Sequence, residues 1–72
     1  MNQVSVAVLV ERNAVARFSR IVKASERLGM RIDHQNKEIG IFSGVIDEAH
    51  VADIAKIKGV QLVERQRQVE VS

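Results

Sequence analysis

The chain has no cysteine, no proline, no tryptophan and no tyrosine, and only two phenylalanines and four glycines among its 72 residues. Without cysteine it can form neither a disulfide nor a thiolate metal site. A core must come from its aliphatic residues, or a partner must complete it. No stretch approaches the roughly 18 apolar residues of a membrane span, so no membrane partner is expected. The opening Met1-Asn2-Gln3-Val4 lacks the basic start and apolar run of a secretory signal, and a cytoplasmic site is the expectation. Charge of one sign is also scarce. Eleven Lys and Arg oppose nine Asp and Glu, a net charge of +2, which is too balanced to argue for nucleic acid. What remains is a globular composition, 46% hydrophobic, of a length that makes one domain over residues 1–72. Such a short chain buries only about 60% of its unfolded surface, and its stability should be about 4–11 kcal/mol.

The apolar residues are strongly patterned. Valine occupies every even position from Val4 to Val10, with Ser5, Ala7 and Leu9 between. Period two and β-branching predict a strand with the valines inward. The row of Ser5, Ala7 and Leu9 suits a face that is neither fully wet nor fully buried. Asn13 can cap a helix beginning at Ala14. Phe18, Ile21, Val22, Ser25 and Leu28 form its apolar stripe, and Arg17, Arg20, Lys23 and Arg27 lie off it. Gly29 can end that helix in a left-handed turn. Met30–His34 alternates again as a short strand, and Gln35-Asn36-Lys37 is read as the turn. Glu38–Ile46 is the most apolar strand, which suits a central place, with Gly40 and Gly44 on one face to allow a bulge or close approach. Asp47 caps a second helix, with Val51, Ile54, Ala55 and Lys58 on one side and Gly59 at its end. Val60–Val71 is a last strand whose charged middle, Glu64–Gln68, suits a sheet edge.

The predicted order is β-α-β-β-α-β. Right-handed crossovers bring the first and third strands together at the centre. The expected class is therefore α+β: a ferredoxin-like plait, a four-stranded antiparallel sheet with two helices on one face and the other face bare.

Little in the chain points to catalysis. A reaction needs a nucleophile, a base and an orienting group held together. His34 follows Asp33, but neighbours on a strand point to opposite faces and form no dyad. His50 falls in the first turn of a helix. Two isolated histidines fall short of a zinc site, and no metal or cofactor is expected. Gly40-Ile41-Phe42-Ser43-Gly44 has the wrong spacing for a nucleophile elbow and is followed by strand. No phosphate loop occurs. RNA-binding plaits stack bases on aromatic residues of the central strands, where this chain offers only Phe42. The reading is a non-enzymatic binding module without nucleic acid.

From Lys37 onward the chain resembles the subtilisin propeptide-like proteinase inhibitor family. The residues that carry the resemblance are Gly40 with Phe42 and Ser43, the acid-capped helix after Asp47, and Gly59-Val60 with Val63-Glu64. The resemblance implies the same plait and a protein partner, a subtilisin-like protease, docked on the bare sheet face. It places Val69-Glu70-Val71-Ser72 in the substrate cleft, with Val69 and Val71 as apolar contacts and Ser72 nearest the catalytic serine. Glu64 would match the acid that caps a protease helix. Ser5, Ala7, Leu9, Glu64 and the tail are then the candidate contact surface. A second resemblance, to ACT domains, is carried by Val4–Phe18 and Leu28–Ile32. It implies a self-associating regulatory module with a small ligand near Glu11–Ala14. A plait that simply dimerises through its open sheet is the third reading.

Overall fold

The structure is a computed structural model and describes residues 2–66. Strands β1 (Gln3–Val10), β2 (Arg31–Asn36), β3 (Ile41–Asp47) and β4 (Val60–Arg65) form one sheet in the order β2-β3-β1-β4. All three pairings are antiparallel. Helices α1 (Phe18–Arg27) and α2 (Val51–Ala55) make the two crossovers. This is the α+β ferredoxin-like plait read from the sequence.

The valine row organises the core. Val6, Val8 and Val10 are buried, and Val4 packs at the margin. On β3 the buried residues alternate in step, as Phe42, Gly44 and Ile46. Phe18, Ile21 and Val22 of α1 and Ile54 of α2 join the same cluster, so both helices cover that face. The rings of Phe18 and Phe42 meet edge to face, with centroids 5.8 Å apart and planes at 89°. Such a pair contributes about 0.5–1.5 kcal/mol beyond its area. Ser25 is fully buried on the same stripe, and its hydroxyl donates to the Ile21 carbonyl at 2.9 Å.

Several boundaries differ from the sequence reading. Asn13 caps nothing. The chain leaves β1 through a 3-10 segment, Arg12–Arg17, and α1 starts only at Phe18. The tight entry has a packing cause. Glu11 N–H is held by the Gly59 carbonyl at 2.8 Å, and Ala14 is buried beside Gly59. The hairpin turn lies at 37–40 rather than at Gln35–Lys37. Asn36 organises it, since its carbonyl accepts from Gly40 N–H at 2.9 Å and its side chain from Ile39 N–H at 3.3 Å. Gly40 has φ +81° and belongs to this turn, not to a strand. Asp47 does cap, accepting from Ala49 N–H at 2.9 Å, but the segment it caps begins as 3-10 and α2 is short. Ala55 consequently stays exposed, while Ile54 is buried and Val51 and Ile57 are half-buried.

Candidate functional site

Strand alternation determines what the helix-free face displays. Ser5, Ala7 and Leu9 of β1 lie opposite Val45, Ser43 and Ile41 of β3. All six are half-buried. On the other side of β1, Leu62 pairs with Leu9 and Glu64 with Ala7. Beyond β3, Arg31 pairs with Val45, His34 with Ser43 and Asn36 with Ile41. Directly opposed residues share a face, so these residues fall into three rows across the sheet. One end reads Leu62, Leu9, Ile41, Asn36. The next row reads Glu64, Ala7, Ser43, His34, and the one after it ends in Ser5, Val45, Arg31.

The apolar end is the open one. Leu62 is 51% exposed and Ile39, in the adjoining turn, 62%. A shallow cavity of about 140 Å³ lies between Ala7, Leu9, Ile41, Leu62 and Glu64. Among the described residues, no segment lies over it. The four candidates Ser5, Ala7, Leu9 and Glu64 are thus brought together on one face, as expected. Val69, Glu70, Val71 and Ser72 lie outside the described residues. Ile41 and Leu62 were missed as face residues, although alternation with Phe42 and Val63 signals both. A second cavity, of about 400 Å³, opens where β1 leaves the sheet, between Leu9, Arg12, Val15, Glu38, Ile39 and Gln61.

Asp33 and His34 do not point apart. The β2–β3 register slips between Ile32, opposite Gly44, and His34, opposite Ser43, so Asp33 is the extra residue of a bulge. A bulge breaks the alternation that holds neighbours on opposite faces. The Ser43 hydroxyl donates to Asp33 Oδ1 at 3.0 Å, which puts the carboxylate on the side that His34 shares. The serine proton therefore points at a carboxylate rather than at imidazole, and Ser43 lies within regular strand. His50 is exposed, with Nδ1 3.1 Å from Asp53 Oδ2. Arg65, at the end of β4, pairs with Glu48 and holds its carboxyl below the usual carboxylate range, helped by Asn2. Among the described residues, no group of three or more His, Asp or Glu is placed to hold a metal ion. Nor is any helix long and apolar enough to cross a membrane.

Comparison with protein families, curated proteins and solved structures found no match.

Proposed function

We propose that this chain is a cytoplasmic, non-catalytic protein-binding module that docks its partner on the helix-free face, in the manner of the propeptide-like inhibitors of subtilisin-like proteases. The observation that carries the reading is the patch of Leu9, Ile41 and Leu62 with Glu64 beside it. An exposed leucine flanked by half-buried aliphatics gains by covering. A carboxylate at its rim supplies a partner for a helix N-terminus.

The test is inhibition of a subtilisin-like protease by the intact chain at micromolar concentration. Inhibition is expected to weaken for Leu62→Asp and for deletion of Val69–Ser72, with both variants still folded. No inhibition by the intact chain sinks the protease reading. The cavity beside Arg12 favours a second reading, an ACT-like ligand module. An amino-acid screen by thermal shift tests it, because a ligand bound to the native state raises the melting point.

A further inference from the structure

We propose that the outer side of the helix layer, built on Arg20, Lys23 and Arg27, binds double-stranded nucleic acid through its phosphate backbone. The helix-free face takes no part, so the proposal stands or falls independently of the docking described above.

The fold separates charges that the net value of +2 averages. Among the described residues, the two crossover segments, 12–28 and 48–58, hold seven of the ten Lys and Arg but three of the eight Asp and Glu. The strands and turns carry the reverse, five acids against three cations. All seven crossover cations are exposed, and none forms a salt bridge with a described residue. Two of the three crossover acids are engaged. Glu48 is paired with Arg65 of β4, and Asp53 Oδ2 lies 3.1 Å from His50 Nδ1. Only Glu26 remains to oppose the cations.

Helix geometry gathers them. Phe18, Ile21, Val22 and Ser25 turn one side of α1 into the core. Arg20, Lys23 and Arg27, three and four residues apart, fall on the opposite side over about 10 Å. Ser19 and Ala24, both small, leave the three long side chains clear. The segment that leaves α2 packs on the same helix, since a β-carbon on Gly59 would lie 2.8 Å from Ile21 Cδ1. The exposed Lys56 and Lys58 therefore add to one cationic layer.

The chemistry of this surface selects the partner. A protein interface centres on apolar or aromatic anchors, and a membrane-bound helix buries its apolar side in lipid. The outer side of α1 offers neither, because its apolar residues face the core. Single-stranded bases stack on aromatic side chains, and both phenylalanines are buried. A duplex asks for none of these. Its backbone presents one charge per about 1.7 Å of axis and is held by cations alone. Arginine adds a fork that matches two phosphate oxygens.

Fluorescence anisotropy of a labelled duplex of about 20 base pairs measures the binding, with DNA and RNA as separate arms. A Kd of about 10 µM at 50 mM salt is expected in at least one arm. Three phosphate contacts should weaken it roughly fortyfold between 50 and 200 mM salt. Arg20→Glu, Lys23→Glu and Arg27→Glu should each weaken it about fivefold or more and lower the salt slope by about one. Arg31→Glu makes the same change in net charge on the opposite face of the sheet and should alter binding less than about twofold. Circular dichroism confirms that each variant is folded. No binding of either duplex up to about 200 µM at 50 mM salt overturns the proposal. So does an equal loss in Arg31→Glu, which would mark a response to net charge alone. Tighter binding to polyglutamate or to vesicles of anionic lipid, at equal anionic charge, also overturns it and assigns the surface to an acidic protein or a membrane.

Discussion

Replacing Gly44 by alanine sets two effects of opposite sign against each other. Glycine inside a strand costs about 0.5–1 kcal/mol relative to alanine, because it loses more backbone freedom on folding. Propensity alone therefore predicts a stabilised protein. The structure predicts the reverse. A β-carbon built on Gly44 would lie 2.0 Å from the Arg31 carbonyl oxygen, 2.8 Å from its carbon and 3.0 Å from Ile32 Cα. These are backbone atoms of β2, so no side chain can rotate away. Relief needs β2 to move by about an ångström. Overpacking of this kind costs about 1–3 kcal/mol, and each ladder hydrogen bond lost adds about 1 kcal/mol. The net expectation is a loss of about 1.5–3 kcal/mol. At about 4–8 °C per kcal/mol for a domain of this size, the melting temperature should fall by roughly 10–20 °C. Gly29→Ala is the control. Its φ is +99°, but a β-carbon there meets nothing within 4 Å, so only backbone strain of about 1–2 kcal/mol remains, partly offset by the stiffer unfolded chain. Urea and thermal unfolding followed by circular dichroism measure both. A Gly44→Ala protein as stable as wild type, or more stable than Gly29→Ala, would refute the close approach of β2 and β3.

Ser25→Ala should change stability by less than about 1 kcal/mol, because the Ile21 carbonyl keeps its helical partner when the hydroxyl is removed; denaturant titration checks it, and a large loss would show the bond to be structural. Asp47→Ala should cost about 1 kcal/mol, the usual worth of a helix cap, in the same assay. The Glu48 carboxyl is held below its ordinary range, first by the hydrogen bond from Arg65 and then by its charge. A lowered folded value means a contribution present above the ordinary carboxylate range and lost as pH falls through the folded value. Stability of wild type should therefore decline on acidification by more than that of Glu48→Gln, and equal slopes in unfolding at a series of acidic pH values would exclude the pair.

Much of this architecture was legible because it follows from local rules. The alternating valines of β1 and the 3-4 spacing of Phe18, Ile21, Val22 and Ser25 each specify an element and its buried face before any tertiary contact forms. Gly29 and Gly59 were readable as helix ends, and both have positive φ. The contact face was half legible for the same reason. Ser5, Ala7 and Leu9 are the complement of the valine row, and Glu64 shares a face with Leu62 by period two.

What only the folded chain decided lies where two distant segments meet. Ala14 is drawn under Gly59, and that contact, not the capping preference of Asn13, determines how α1 begins. Asp33 reaches the face of Ser43 because β2 bulges against β3 at Gly44, and periodicity read along one strand carries no information about the register of its neighbour. Glu64 and Arg31 are far apart in the chain and stand at the two edges of one face only through the strand order β2-β3-β1-β4. Short-range sterics and spacing are written in consecutive residues, whereas register, bulges and the pattern across a sheet arise from pairing between segments, which no single stretch encodes.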